Sequence, residues 1–585
     1  MTIVEMLCKE FNLQAWQVEA VMKLLDEGNT LPFIARYRKE AHGSLDDTVL
    51  RDLTDRLTAL RKLAERRAEI VSSLQKQEKW TEELQAQLDN ATTAGQLEDI
   101  YRPYKPKRRT RAMIAKERGL EPLADVIALQ LTKAATPEEL ARDFISEENG
   151  VPDAQSAIQG AMDILAERIN DDAAVRTGLK QLYHRSAQVS CKASGEEDSV
   201  YRMYYDHREP LRLMPSHRVL AMDRGEKEGF LKVGLDVDEN QVQQVIQSDY
   251  VAHTGSLATE YVKAACEDAY DRLIAPSLNN ELRGDLTERA QKAAIRVFAL
   301  NLKPLLMQPP VRGKVAMGLD PGYRMGCKVA VVDPTGRVLD TAVVYLSKSA
   351  AEKEQAKAKI EALVRKHHVS IAAIGNGTAS RETEQFFVDV MHDLDLGKEL
   401  SYMVVSEAGA SVYSASKLAA EEFPQFDVNL RSAVSIARRL QDSLAELVKI
   451  DPKAIGVGQY QHDLKESELD EALAGVVEDC VNAVGVDVNT ASPSLLSHVA
   501  GINGTVAKNI VAYREENGPF AGRAALKKVP KLGPKAFEQC AGFLRIPSGK
   551  DPMENTGVHP ESYAAAKALL ARFGLMPREA AGGLL

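Results

Sequence analysis

The sequence predicts a multidomain, mainly α-helical protein with one α/β domain at its centre, and three observations predict it. Most of the chain places apolar residues at helical spacing. One region, 311–452, replaces that spacing with short apolar runs closed by Pro-Gly and Asp-Pro-Thr-Gly turns, then alternates helix and strand patterns. Beyond it, short helices are joined by glycine hairpins twice in succession. At 585 residues the chain can form several separate cores.

Region 1–195 is expected to be a helical domain. Leu13, Trp16, Val18, Val21, Leu24 and Leu25 fall on one helical face, Gly28-Asn29 stops that helix, and Leu31-Pro32-Phe33-Ile34 starts another. Asp46-Asp47 caps a long helix to about residue 75, whose alternating charges are a solvated face around a leucine stripe. The stretch 101–118 differs. It holds Arg102, Lys105, Lys107, Arg108, Arg109, Arg111, Lys116 and Arg118 against the single acid Glu117, interleaved with Tyr101, Pro103, Tyr104 and Pro106. Proline fixes φ, so an extended segment is expected. Its cations, with Lys105, Lys107, Arg108 and Arg109 as candidate contacts, either track a phosphate backbone or pair with acids on neighbouring helices. Two more helices are expected across 143–166, separated by a break at 149–152.

Region 196–310 is expected to be a helical spacer. It contains a turn-rich interruption at 220–229, a short strand at 231–237 and one or two long helices across 260–305. Met307-Gln308-Pro309-Pro310 then links it to the α/β domain.

The domain at 311–452 opens on Lys314-Val315-Ala316-Met317-Gly318-Leu319-Asp320, broken by Pro321-Gly322. Apolar runs at 327–332 and 338–346 complete a three-strand meander. Helices at 352–368 and 381–392, strands at 370–374 and 401–405, and a closing helix at 429–449 follow. Meander first, alternation second, with an acid on the opening strand, is the layout of a ribonuclease H-like domain. A working nuclease of this fold clamps two divalent cations with several carboxylates. Here Asp320 ends the first strand and Glu407 follows the fifth, but Asn376 stands at the fourth and Arg431 near the start of the closing helix. Asp442 and Glu446 lie several turns along. Two carboxylates are too few for two metals. Asp320 and Glu407 are therefore expected to be vestigial, with no metal, cofactor or catalytic group. The alternative is a divergent metal-dependent nuclease that uses those two acids.

Region 453–550 is expected to be a helix-hairpin-helix domain. Its connector at 456–463 leads to an acidic helix at 463–479. The first hairpin is Gly501-Ile502-Asn503-Gly504, between helices at 493–499 and 505–514. The second is Val529-Pro530-Lys531-Leu532-Gly533-Pro534-Lys535, between helices at 523–528 and 536–544. Glycine permits the positive φ of a tight hairpin, and the following helix offers free N–H groups and a positive dipole end to a phosphate. Lys508, Lys531 and Lys535 are the expected side-chain contacts, with Gly501, Gly504 and Gly533 as backbone donors. Between Gly501 and Arg545 there are eight Lys and Arg against three acids. Contacts of this kind follow backbone rather than base edges, so little sequence preference is expected. Residues 551–585 are a tail or the start of a further domain.

The net charge of −10 excludes a globally basic coat but not local basic patches. Six cysteines form neither a Cys-x-x-Cys pair nor a zinc-spaced cluster, so reduced thiols are expected. No stretch approaches the ~20 apolar residues of a membrane span, and no basic leader precedes an apolar core at the N-terminus. A cytoplasmic, monomeric chain without a membrane partner is expected.

Tyr101 to Thr110, the run Gly318-Leu319-Asp320-Pro321-Gly322, Gly375-Asn376-Gly377-Thr378-Ala379-Ser380-Arg381-Glu382, the stretch 406–416, the connector, the hairpins and His559-Pro560-Glu561-Ser562-Tyr563 together resemble the Tex family of bacterial transcription accessory proteins. The resemblance spans nearly the whole chain. It implies a mainly helical scaffold related to a eukaryotic elongation factor, with a catalytically degenerate YqgF-type ribonuclease H-like domain and tandem helix-hairpin-helices. It implies a role in transcription and binding of RNA or DNA, with RNA polymerase or other transcription machinery as a partner. Family members end in an OB-fold RNA-binding domain. No five-strand, aromatic-bearing pattern follows the hairpins here, so none is expected in this chain.

Overall fold

The computed structural model describes residues 2–105, 109–131, 133, 135–252, 255–346 and 349–577. The chain divides into two compact units, Met1–Ala15 with Asp52–Ala293, and Trp16–Arg51 with Ala294–Leu585.

In the first unit, the expected long helix forms as Asp47–Lys76, which begins in the other unit. Its Ile70 and Leu74 pack with Leu84, Leu88, Leu97 and Tyr101. A second focus is the helix Ala154–Asp171, buried along most of its length. Gly160 lets a neighbour approach it, because a Cβ there would lie 2.4 Å from Leu120 Cδ1. Three expectations change here. The segment before this helix has no second α-helix but a short 3-10 turn and a tight loop closed by Ser146 and Val151. The glycine-bearing stretch 220–229 is largely helix, Ser216–Lys227, and Gly225 serves packing, since a Cβ would lie 2.5 Å from Leu231 Cδ1. The expected lone strand belongs to an antiparallel sheet ordered β2-β1-β3, of β1 (Gln188–Ala193), β2 (Asp206–Pro210) and β3 (Leu231–Asp236). The long helical run divides into Thr259–Asp268, a π turn at Ala269–Ile274, and Ala275–Leu306.

The second unit contains the α/β domain as expected. Its strands are β4 (Ala316–Asp320), β5 (Cys327–Val332), β6 (Val338–Val344), β7 (Ile371–Gly375) and β8 (Ser401–Val405), in the order β6-β5-β4-β7-β8. The meander strands are antiparallel, whereas β7 and β8 run parallel to β4, as their helical crossovers require. Both faces of the central strands are covered, so β4 and β7 are almost wholly apolar, whereas the edge strands β6 and β8 carry Asp340, Thr341, Ser401 and Tyr402. Met317, Leu319, Val329, Val331 and Ile374 meet Ile360, Phe386 and Phe387 on one face. Ala316, Ala330, Val332 and Ala373 meet Val434, Ile436 and Leu440 on the other. The closing helix crosses β4 at contact distance, because Gly318 has no side chain: a Cβ would lie 2.1 Å from the Ala433 carbonyl oxygen. That helix is not continuous to residue 449. It runs Val428–Gln441, breaks at Asp442, and resumes as Ser443–Leu447. Asp442 caps the second piece, its carboxylate accepting the Ala445 N–H at 3.0 Å.

The acidic helix follows as Glu466–Val484. The two hairpins come next, bracketed by a short parallel pair, β9 (Val486–Asp487) with β10 (Leu544–Arg545).

Candidate nucleic-acid interface

Each hairpin is built by the same local rules, but the glycines do not occupy equivalent positions. In the first, Gly501 takes the left-handed conformation at φ +78°, Ile502 N–H donates to Val499 O at 2.9 Å, and Asn503 caps the helix Gly504–Asn517. Asn503 Oδ1 accepts the Val506 N–H at 3.0 Å. In the second, the left-handed residue is Lys531 at φ +66°, Leu532 N–H donates to Val529 O at 3.2 Å, and Gly533 is the extended N-cap of the helix Pro534–Cys540. Gly533 is thus the counterpart of Asn503, and Lys531 that of Gly501. The glycines of the two hairpins therefore serve different roles, a left-handed turn at Gly501 and a helix cap at Gly533. Gly504 likewise begins its helix and makes no left-handed turn.

The hairpins pack on each other. A Cβ on Gly501 would lie 2.8 Å from Gln539 Cβ and 3.0 Å from Ala536 O, so the first turn is seated on the second helix. In return, Asn509 donates to Pro530 O at 2.8 Å. That bond draws together the segments that carry Lys508 and Lys531. Asn482 anchors the first turn, donating to His498 O and accepting from Ala500 N–H, each at 3.0 Å.

The cation surplus is divided by use. Arg523 is only 1% exposed and donates to Leu544 O, Thr556 O, Val558 O and the Tyr563 hydroxyl. Arg514 donates to Val488 O and Arg545 to Gly542 O. These arginines hold the domain together. The lysines point outward: Lys508, Lys527, Lys528, Lys531 and Lys535 are exposed. Lys527 lies 4.9 Å from the Phe537 ring centre. Lys508, Lys528 and Lys531 make no side-chain hydrogen bond or ion pair among the described residues. Lys535 differs, donating to Asn29 Oδ1 at 2.7 Å. Sequence reasoning passed over Lys528 and the cap Asn503, although an Asn one residue before a helix is itself a capping signal.

The described part of the basic segment is helical at both ends, with Lys105 and Thr110 extended. Tyr101 ends a helix, Arg102–Tyr104 make a 3-10 turn, and Arg111–Glu117 is helical. Lys105 pairs with Glu98 at 2.5 Å and Arg109 with Glu117 at 2.6 Å, though both remain about half exposed or more, at 49% and 69%. Lys107 and Arg108 lie outside the described residues.

At the strand tips of the α/β domain, Asp320 and Glu407 are drawn together, and each is accompanied by a cation. Lys328, itself buried, sits opposite Asp320 in the β4–β5 register. A lone lysine in the otherwise apolar run Cys327–Val332 was the sequence signal for it. Burial pushes the Asp320 carboxyl up, while a Ser432 hydrogen bond and Lys328 pull it back. Glu407 is also pushed up, first by burial and then by the Asp320 charge, against the Gly377 N–H and Arg439. Its carboxylate lies over Gly377, where a Cβ would come within 1.7 Å of Oε1. Asn376 Oδ1 accepts the Glu407 N–H at 3.1 Å, so this side chain fixes the loop rather than offering a charge. Arg439 is 3% exposed and donates to Ser406 O and Ala408 O. Arg431 donates to Phe423 O and Ser414 O. Among the described residues no group of three or more His, Cys, Asp or Glu is arranged to hold a metal ion. No helix among them is long and apolar enough to cross a membrane.

Comparison with known proteins agrees with this architecture segment by segment. Residues 1–75 match a Tex-like protein N-terminal domain, 132–298 a Tex central region-like model, 314–441 a Tex protein YqgF-like domain, and 481–545 a helix-hairpin-helix motif. The chain is 49% identical to protein tex of Bordetella pertussis, over 97% of this chain and 74% of that protein. It is 47% identical to the transcriptional accessory protein Tex of Neisseria gonorrhoeae, over 100% of this chain and 77% of that protein. It is 39% identical to the human S1 RNA-binding domain-containing protein 1, over 93% of this chain and 56% of that protein. With these matches along nearly its whole length, the chain belongs to the Tex family.

Proposed function

We propose that this chain is a transcription accessory scaffold that holds the phosphate backbone of a nucleic acid without marked sequence preference. One observation carries the reading. The helix Gly504–Asn517 begins at an exposed turn with Lys508 on its first turns, and Lys531 is drawn alongside by the Asn509–Pro530 bond. A helix N-terminus with two unpaired ammonium groups suits a phosphate, and nothing in it distinguishes one base from another. The transcriptional role named for the Neisseria relative is extended to this chain as part of the same proposal, with the transcription machinery, RNA polymerase included, as the partner.

The nuclease reading is weaker on electrostatic grounds. Lys328 and Arg439 already supply positive charge beside Asp320 and Glu407, where a nuclease would seat metal cations. Cleavage of a labelled strand in magnesium or manganese that vanishes in Asp320→Asn would reverse that preference. The backbone-binding reading is tested by fluorescence anisotropy at low salt. The double variant Lys508→Glu/Lys531→Glu is expected to weaken binding at least about tenfold, since each lost phosphate contact is worth roughly 1 kcal/mol and the new charges repel. Unchanged affinity would remove the hairpins from the account.

A further inference from the structure

We propose that Arg36 and Arg545, which meet over Gly557, form a binding site for a phosphate group, built from residues outside the two hairpin turns. The inference does not rest on the backbone-binding reading above. The phosphate is either that of a small molecule or that of a nucleic acid backbone, and the test separates the two.

Arg36 lies on the helix Leu31–Tyr37 and Arg545 on β10, both in the second unit. Each uses one nitrogen to hold the fold. Arg36 Nη1 donates to Asn482 O at 3.1 Å and Ala483 O at 3.4 Å, at the C-terminal end of the helix Glu466–Val484. Arg545 Nη1 donates to Gly542 O at 2.6 Å and Leu544 O at 3.2 Å. Their Nη2 groups make no hydrogen bond or ion pair among the described residues, and they converge. The point that a Gly557 Cβ would take lies 2.5 Å from Arg36 Nη2 and 3.5 Å from Arg545 Nη2. A second glycine admits the Arg545 fork, since a Cβ on Gly485 would lie 2.7 Å from its Nη2 and 2.9 Å from its Nε. The Tyr37 hydroxyl donates to Gly557 O at 3.1 Å and fixes that loop. The site is open to solvent: Arg36 is exposed, and Gly485, Arg545 and Gly557 are partly so.

Among the described residues no carboxylate pairs with either arginine. A third guanidinium, Arg523, shares the Leu544 carbonyl with Arg545, and its own acid partner, Glu554, stands 3.7 Å away. Burial, then the Arg523 and Arg36 charges, pull the Arg545 pKa down to about 10. Carbonyl dipoles offset only part of a full charge, so cations gathered in this way repel one another. An oxyanion between the two Nη2 groups accepts from both and relieves that repulsion. A planar carboxylate is matched by a single guanidinium fork. A tetrahedral phosphate presents oxygens in several directions, which suits two guanidinium groups that arrive from different elements.

The test follows the thermal midpoint of the full chain as inorganic phosphate replaces chloride at constant ionic strength, beside the variant Arg36→Gln, a change at an exposed position. Phosphate stabilises folded proteins generally by its exclusion from their surface, so the quantity read is the difference between the two chains. The parent chain is expected to show a saturable rise that exceeds the variant's by about 2 °C. Arg545→Lys, which keeps the charge and loses the fork, should forfeit the same part of the rise. Anisotropy with a fluorescein-labelled single strand then separates the sources. If Arg36→Gln weakens strand binding about threefold and phosphate competes with the strand, the site takes a backbone phosphate. If strand affinity is unchanged, the site takes a small phosphate-bearing ligand. An equal response to phosphate in the parent chain and in Arg36→Gln overturns the inference. The backbone-binding reading survives that outcome, since neither arginine belongs to it.

Discussion

Gly318 is the position where one methyl group would be most costly to the fold. A Cβ 2.1 Å from Ala433 O and 2.9 Å from Ala437 N meets helix backbone, which cannot rotate away. Gly318→Ala should destabilise the α/β domain by about 3 kcal/mol or more, seen by calorimetry as a lower midpoint for the transition to which that domain contributes. Lys531 makes the opposite case. A lysine in the left-handed region is strained by about 1 kcal/mol relative to glycine. Lys531→Gly should therefore raise stability slightly while weakening nucleic-acid binding, a split that loss of fold could not produce. At this scale the sequence was legible where position alone was at stake, as with Asp320 at the end of β4 and the exposed lysines around the hairpins. It was not legible where the role depends on a distant neighbour. Arg523 and Lys535 look alike as surface cations in the sequence, yet one is bonded to carbonyls of the following segment and the other to Asn29.

Elements in the α/β domain followed their periodicity closely, because strands covered on both faces are apolar runs with sharp turn signals. The breaks were harder. Asp442 sits within an apolar periodicity that runs on to Leu447, and its extended backbone and capping bond to Ala445 show that the helix restarts there. The strand β2 reads Asp-His-Arg-Glu-Pro, with no apolar alternation, and exists because β1 pairs it. At the strand tips, the elements bring Glu407 near Asp320, and its carboxyl is raised by burial and by that charge. A carboxyl whose folded pKa lies above its unfolded value holds more protons in the folded state, so its contribution to stability falls as pH rises through that window. Glu407→Gln removes this loss. The stability of the variant relative to the parent chain should therefore increase as pH is raised from about 4 toward neutrality. Thermal midpoints measured across that range would show it, and a difference independent of pH would contradict the assigned environment.

The molecule as a whole is acidic, at −10, and on the reading proposed here meets a polyanion through a small local patch. The general architecture was visible early, since a meander followed by alternation, and two hairpins in tandem, are patterns of order rather than of contact. The seating of Asn29 against the second hairpin helix was not, because it lies about 500 residues away in the chain. A patch of two unpaired lysines and one helix end gathers few phosphates, so affinity should be modest and its salt dependence shallow for a nucleic-acid-binding protein. The most direct measurement is the slope of log affinity against log salt for the full chain, compared with Lys508→Glu/Lys531→Glu. Two to three phosphates give a slope of roughly −2 to −3, nearly abolished in the double variant. A slope that the double variant leaves unchanged would place the nucleic acid elsewhere on the molecule.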